Sequence, residues 1–251
     1  MDSSSISPQV SSSLLLRASF GLILLLCASM FHIASAQSSA RLDNQDLDMI
    51  LVIDSSNSMD VSGLWTPVSN GIRAFINEPS SEFLTMALNF MPAPADMCTG
   101  EAYDPPFVPL TPLPFGASTL ENAILARSPG GMTPTFSALK GSLEFAEAYA
   151  NESPTRGVSV VLLHGGPPND CSTDTGAIIA LAANASARVR TYTIGLSPGS
   201  PVPLLSGIAG AGSGAYFQIG QLSIEQEVVD ALVAIQELEL ARIFSDGFES
   251  G

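Results

Sequence analysis

The sequence predicts an α/β domain with a doubly wound, mostly parallel central sheet flanked by helices. An almost unbroken apolar run at residues 48–54 (DMILVID) is typical of a strand buried on both faces. Further runs of strand length recur along the chain, and segments with apolar residues at every third or fourth position separate them. This alternation of strands and helices indicates parallel strands joined by right-handed crossovers.

The other predicted elements follow this first strand in order. Apolar residues that step by three and four begin a helix at Trp65, and residues 83–90 form the second strand. Seven prolines between residues 91 and 115 predict an irregular excursion with a short edge strand near 106–110, because proline cannot donate to a central ladder. The remaining predictions are helices at 118–127 and 136–150, a strand at 158–163, a helix at 174–187, a strand at 189–194, a helix at 204–209, a strand at 215–219 and a last helix from Ser223.

The amino terminus has the pattern of a cleavable export signal over residues 1–36. Arg17 precedes an apolar run at residues 18–31, and the small residues Ala34, Ser35 and Ala36 follow, with cleavage expected after Ala36. The run is shorter than the roughly 18–20 residues that a membrane-spanning helix needs, so no membrane span is expected after cleavage. We expect a secreted or periplasmic protein with a flexible lead-in at residues 37–46, a domain at 47–243, and a tail at 244–251 that is either a processing signal or a disordered end.

Composition limits the classes of partner. The chain has 24 acidic and 9 basic residues, which gives a formal net charge of −15. Such a chain repels phosphate backbones and anionic lipid surfaces, so nucleic acid is not an expected partner.

Two cysteines, Cys98 and Cys171, follow the predicted cleavage point. Exported proteins meet oxidising conditions in which thiols pair, so we predict a disulfide between them. Closing a loop of this length contributes about 4 kcal/mol in the chain-entropy model.

Polar side chains stand where the first strand ends. Asp54, Ser56 and Ser58 occupy alternate positions there, so an extended turn would point all three the same way. Carboxylate and hydroxyl oxygens suit a hard divalent cation such as Mg²⁺, although Asp and Ser also cap helices. Since ligands of such folds gather at the carboxyl ends of the strands, this motif is a candidate site.

This motif, the loop at residues 130–135 (GGMTPT) and the doubly wound order together resemble the von Willebrand factor type A domain over about residues 48–243. The resemblance implies a metal-ion-dependent adhesion site. In that family the serines and often a distant threonine bind Mg²⁺ directly, and an acidic side chain of the partner completes the coordination. The implied ligands of Mg²⁺ or Mn²⁺ are Asp54, Ser56, Ser58 and Thr133.

The third motif of the family is changed in this chain. Where Thr-Asp-Gly is usual, the sequence has His164-Gly165-Gly166, so Gly165 replaces the expected carboxylate. Loss of a supporting group of this kind commonly costs 10–100-fold in metal affinity, and we therefore expect a weakened or lost metal site, with Asp170 as the alternative carboxylate. The resemblance implies adhesion to a protein or cell-surface ligand, with candidate contacts at Ser55, Asn57, Met59, Asp60, Met132, Pro134, His164 and Asp170.

Two short motifs suggest a function other than adhesion. Residues 163–167 (LHGGP) and 195–199 (GLSPG) resemble the oxyanion loop and nucleophile elbow of a serine hydrolase. That triad needs a histidine after the serine, whereas His164 is the only histidine beyond residue 36 and precedes Ser197. We therefore expect no enzyme activity. A structural or sensory scaffold that binds no metal remains as the alternative.

Overall fold

The computed structural model describes residues 47–94, 98–196, 202–220 and 223–249. The predicted export signal and lead-in, and the last two residues of the predicted tail, lie outside these ranges. Within them, the helices are too short or too polar to serve as a membrane span.

The core element is a six-stranded sheet in the order β3-β2-β1-β4-β5-β6. All neighbouring strands run parallel except β3, which pairs antiparallel with β2 at one edge. This topology confirms the predicted fold class, including the edge strand in the proline-rich segment. The strands are β1 (Leu47–Asp54), β2 (Leu84–Met91), β3 (Val108–Pro112), β4 (Gly157–His164), β5 (Arg190–Leu196) and β6 (Ser213–Ile219).

Seven α-helices connect or flank these strands in the described ranges. Short 3₁₀ turns occur at Pro79–Phe83 and Gly100–Tyr103. The last helix continues past Ile243, where the sequence placed the end of the domain, and a five-residue helix directly after β1 was not predicted. The helices are α1 (Asn57–Val61), α2 (Trp65–Ile76), α3 (Ala117–Ala126), α4 (Thr135–Glu152), α5 (Thr175–Ala185), α6 (Pro203–Ala211) and α7 (Ile224–Glu249).

Apolar layers cover both faces of the sheet. Alternate β1 residues divide between the two layers: Met49 and Leu51 pack with α2, α3 and α7, whereas Ile50 and Val52 pack with α4, α5 and α6. All eight residues of β1 are buried, as the unbroken apolar run predicted. Full burial of each large aliphatic side chain contributes about 1.5–3 kcal/mol, which fixes the strand at the centre of the sheet.

The alternation of β1 also positions two carboxylates. Asp48 and Asp54 lie on the same face of the strand as Ile50 and Val52, at opposite ends, and both side chains are fully buried. Asp48 therefore belongs to the amino-terminal edge of the parallel sheet and Asp54 to its carboxyl-terminal edge.

The predicted disulfide between Cys98 and Cys171 is present, with a Cα–Cα distance of 5.3 Å. It connects the segment after β2 with the loop after β4. Both segments leave the sheet at its carboxyl-terminal edge, so the disulfide fastens the loops beside the candidate site.

Candidate functional site

Two loops meet at the carboxyl-terminal end of β1. The amide of Gly130 donates to the Ser55 carbonyl at 2.8 Å, and the amide of Asn57 donates to the Gly131 carbonyl at 3.0 Å. Gly131 has a φ of +79°, and a Cβ there would lie 2.9 Å from the Pro92 ring. Glycine is therefore required for this loop to reach the strand end.

The Asp54 carboxylate is oriented by the main chain. Its Oδ1 accepts from the Ser56 amide and its Oδ2 from the Gly165 amide, each at 2.9 Å. Among the described residues, no lysine or arginine pairs with it, and the nearest ionisable group is the His164 ring, 3.7 Å from Oδ2. The site thus contains a fixed carboxylate without a cationic partner.

The two predicted serine ligands lie together. Their hydroxyl oxygens, on Ser56 and Ser58, are 2.9 Å apart. Adjacent ligands of an octahedral Mg²⁺ at about 2.1 Å from the ion are separated by about 3 Å. The spacing of the hydroxyl pair therefore fits one edge of a magnesium coordination sphere.

Thr133 is held by a residue that the sequence did not single out. The Thr133 amide donates to Asn169 Oδ1 at 2.7 Å, and the Asn169 amide donates to the Thr133 carbonyl at 3.3 Å. This reciprocal pair joins the loop before α4 to the loop after β4. The only sequence signal was the position of Asn169 beside Asp170, in the stretch that follows the changed third motif.

Met59 fills the space beside Gly165. A Cβ on Gly165 would lie 2.4 Å from Met59 Sδ and 3.5 Å from Asp54 Oδ2, and Met59 is fully buried. The expected surface contact through Met59 is therefore wrong, because its side chain packs inside the site. The oxygen donors suit Mg²⁺ in kind and spacing, but they include one carboxylate. The Met59 thioether occupies the space beside Gly165, the position at which the resemblance implied a second carboxylate. Thioethers favour soft metals and add nothing to magnesium binding.

His164 is a buried, neutral hydrogen-bonding residue. Its Nδ1 accepts from the Gly166 amide at 3.1 Å, which places the ring proton on Nε2, 2.7 Å from the Thr135 hydroxyl. Burial lowers the pKa of His164, and the nearby Asp54 carboxylate opposes this only partly. The ring thus links β4 to the start of α4 without a positive charge.

The other predicted contacts differ in exposure. Ser55 is buried; its hydroxyl donates to the Met91 carbonyl at 3.1 Å and accepts from Arg127 Nε at 2.9 Å. The surface contact expected at Ser55 is therefore wrong, because its hydrogen bonds are made inside the protein.

Of the remaining predicted contacts, Pro134 is also buried. Asn57, Asp60 and Met132 are exposed around the site, and Asp170 is half-buried.

Arg127 is a second residue that the sequence did not single out. It also donates to the Pro92 carbonyl at 2.6 Å and lies 5.3 Å from the centre of the Phe90 ring. Burial lowers the pKa of Arg127, yet a guanidinium keeps its charge under all ordinary conditions. Arg127 therefore stabilises the position of Ser55 beneath the site.

The remaining sequence motifs do not assemble a second centre in the described ranges. Cys98, Asp170 and Cys171 bring sulfur and carboxylate atoms within 4.8 Å of one another. Metal binding by cysteine requires thiolates, and these sulfurs are joined in the disulfide. Ser197, in the motif that resembles a nucleophile elbow, lies outside the described residues. His164, in the motif that resembles an oxyanion loop, is hydrogen-bonded to Thr135.

The chain has the fold of a von Willebrand factor type A domain. It is similar to von Willebrand factor type A from Catenulispora acidiphila (TM-score 0.55, 14% identity, covering 77% of this chain and 42% of that one). It is also similar to the pilus adhesin SpaC from Lactobacillus rhamnosus GG (TM-score 0.58, 12% identity, 77% of this chain and 30% of that one). The SpRpn10 VWA domain matches with a TM-score of 0.52 and 16% identity, over 73% of this chain and 93% of that one.

These likenesses concern structure rather than sequence. No protein-family model and no curated protein matches the sequence. The chain spans less than half the length of the Catenulispora acidiphila protein and of the adhesin, so the similarity concerns part of each.

Proposed function

We propose that this chain is an exported recognition module that binds a protein or cell-surface ligand at the carboxyl-terminal edge of its sheet. The observation that carries the proposal is the convergence of a fixed, unpaired carboxylate, Asp54, with the hydroxyl pair of Ser56 and Ser58. Exposed side chains surround this centre, including the polar Asn57 and Asp60 and the apolar Met132, which is 46% exposed. Mixed polar and apolar groups around a fixed charge suit contact with a protein surface.

Two further observations support adhesion outside the cell. A disulfide fastens the loops beside the site, which is typical of proteins in an oxidising compartment. The similar solved structures include a pilus adhesin, although a likeness at 12% identity concerns the fold alone. We infer binding rather than catalysis, since the His164 ring is buried and both of its nitrogens are engaged, with Thr135 and with the Gly166 amide, which leaves neither available as a base for a substrate.

We propose that Mg²⁺ or Mn²⁺ binds weakly and assists recognition. Asp54, the two serines and Thr133 would hold the ion, which would supply a positive charge for an acidic group of the partner. One carboxylate in place of two reduces the electrostatic attraction. The reduction is expected to place metal affinity in the millimolar range.

Calorimetric titration with MgCl₂ and MnCl₂ tests the metal contribution. The wild-type protein is expected to release heat at millimolar metal, and Ser56→Ala is expected to lose that signal. Ser69→Ala is the matched control, because Ser69 lies on α2 and its hydroxyl bonds to the Thr66 carbonyl. No heat from the wild-type protein would instead favour the metal-independent scaffold, for which the Met59 side chain beside Gly165 is the supporting observation.

Crosslinking to the surface of the source cell tests recognition. A specific partner should be captured by the wild type and lost in an Asn57→Ala, Asp60→Ala double variant, whose altered side chains are exposed. Capture that is unchanged in this variant would contradict recognition at this edge. Repeating the capture with chelator separates metal-assisted from metal-independent binding.

A further inference from the structure

A cavity adjoins the candidate site at the loop after β4. It has a volume of about 360 Å³ and lies between the loop after β4, the end of β5 and the start of α6. Gly165 and Gly166 form part of its lining, so the cavity and the Asp54 centre share one loop. A partner that contacts this shared loop can therefore reach both the Asp54 centre and the cavity.

The lining of the cavity is mainly apolar. Leu196, Val202, Leu204 and Leu205 supply aliphatic surface, and Pro168 extends it along the loop after β4. Of the described lining residues, none carries a formal charge, because the buried His164 ring is neutral. Ligand pockets commonly measure about 300–1,000 Å³, so this cavity is at the small end and suits one bulky apolar group.

Acidic residues flank the cavity in the chain. Asp174 directly precedes the lining residue Thr175 and is exposed, although its Oδ1 also caps α5 through the amides of Gly176 and Ala177. Asp170 follows Pro168 by two residues and is half-buried. The chain as a whole has a formal charge of −15. A partner segment that inserts an apolar side chain into the cavity is therefore attracted more strongly when a basic residue lies next to that side chain.

We propose that the cavity receives an aromatic or large aliphatic side chain of a protein partner, from a segment in which a basic residue lies next to it. This inference rests on the proposed function, since it identifies the chemistry of the partner that the same edge recognises. The partner would then make two contacts, one at the Asp54 centre, which metal assists, and one in the cavity, which requires no metal.

Capped dipeptides test the cavity directly. Acetyl-Phe-Lys-amide, acetyl-Phe-Glu-amide and acetyl-Ala-Lys-amide are titrated into protein carrying ¹³C-labelled Leu and Val methyl groups, in the presence of chelator. The Phe-Lys peptide should shift the methyl signals of Leu196, Val202, Leu204 and Leu205 saturably, with an affinity about tenfold or more above that of Ala-Lys. It should exceed Phe-Glu by up to about fivefold, because exposed charge pairs contribute little.

Substitutions at Val202 supply the matched variants. Val202 is the residue before α6, has an extended backbone, and makes no side-chain capping bond. Val202→Asn makes the wall polar and should weaken Phe-Lys binding about threefold to tenfold. Val202 also packs against the apolar layer of α4, α5 and α6, but asparagine is a preferred capping residue, so the melting temperature should change little. Val202→Ile should bind like the wild type. Leu125→Asn is the distant control, because Leu125 is 62% exposed on α3, which packs on the opposite face of the sheet.

Several results would overturn the inference. These are non-saturable shifts, equal affinity for Phe-Lys and Ala-Lys, Phe-Glu binding at least as tight as Phe-Lys, or no effect of Val202→Asn. Surface crosslinking with Val202→Asn separates this failure from failure of the proposed function. Capture that survives Val202→Asn but is lost in the Asn57→Ala, Asp60→Ala variant would overturn the cavity inference alone.

Discussion

Strand β1 carries two buried carboxylates in contrasting environments. Asp48, at the amino-terminal edge of the sheet, accepts from both Arg156 Nε and Arg156 Nη2, the second at 2.5 Å. Asp54, six positions later on the same face, accepts from the backbone amides of Ser56 and Gly165, with a neutral histidine nearby. Within the described ranges, no lysine or arginine pairs with it. One charge is compensated inside the protein, and the other is not.

The presence or absence of a cationic partner distinguishes a structural carboxylate from a functional one more clearly than burial does. Both side chains are fully buried, so exposure alone would rank them equally. A carboxylate that forms a two-pronged pair with arginine has its charge satisfied and fixes the fold. A carboxylate held only by backbone amides is oriented but keeps its attraction for an external cation. The predictions below test this contrast, in order of decreasing effect.

The largest effect is expected from the disulfide, which fastens two loops at the carboxyl-terminal edge of the sheet. Replacing both Cys98 and Cys171 by Ala should lower the free energy of unfolding by about 4 kcal/mol, because the unfolded chain without the crosslink has more conformational entropy. Urea denaturation at pH 7 measures the change. Reduction of the wild type should give a similar loss, and equal stability of the oxidised and reduced proteins would contradict the prediction.

The next effect compares the two carboxylates. Asp48→Asn should lower the free energy of unfolding by about 3 kcal/mol, because Arg156 loses its charged partner. Asp54→Asn should cost only about 1 kcal/mol, because an amide oxygen still accepts one of the two backbone bonds. Urea denaturation of both variants tests the difference.

The matched control for this comparison is Asp48→Leu with Arg156→Met. It removes both charges and should be close to the wild type in stability, since apolar groups can replace a buried pair. Equal losses for Asp48→Asn and Asp54→Asn would contradict the assignment of structural and functional roles.

A smaller effect is expected on metal affinity. Gly165→Asp alone brings the new side chain against Met59 Sδ, 2.4 Å from its Cβ. Combined with Met59→Ala, the added carboxylate has room and should raise Mg²⁺ affinity by about 10–100-fold. Calorimetry on the wild type, both single variants and the double variant measures this. A gain in Gly165→Asp equal to that of the double variant would show that Met59 does not restrict the site.

The smallest effect concerns pH. Because burial lowers the pKa of His164, the unfolded chain binds a proton more readily than the folded one below the ordinary histidine pKa of about 6.5. Stability from this group is therefore present at pH 7 and decreases as the pH falls below about 6.5, by up to about 1 kcal/mol at pH 5.5.

Denaturation of the wild type and His164→Gln at both pH values isolates the contribution of the histidine, since glutamine can still donate toward Thr135. The wild type should lose more stability than the variant on acidification. An equal loss in the two proteins would contradict a lowered histidine pKa.

The sequence predicted the layers of the fold better than the interior of the site. Unbroken apolar runs such as that of β1 identify buried strands, and helical spacing identifies the helices between them, because both patterns report burial directly. The continuation of α7 past Ile243 was missed because polar residues there resemble an exposed tail. The cysteine pairing followed from having two cysteines beyond the predicted export signal.

Within the site, residue type alone could not predict which side chains point toward the ligand edge and which point into the protein. Ser55 and Met59 stand in the same motif as Ser56 and Ser58, yet Ser55 bonds inward to Arg127 and Met59 packs beside Gly165. These contacts join residues far apart in the chain, and no local pattern reveals them. The cavity likewise arises where the loop after β4, the end of β5 and the start of α6 come together.

The Met59 side chain beside Gly165 also constrains how this site could change over generations. Introducing an acid at Gly165 first meets an occupied volume, whereas shortening Met59 first leaves a small void that the acid can then fill. The two substitutions are therefore epistatic, and the favourable order is fixed. A lineage or a directed-evolution experiment seeking tight metal binding should acquire the change at Met59 before the change at Gly165.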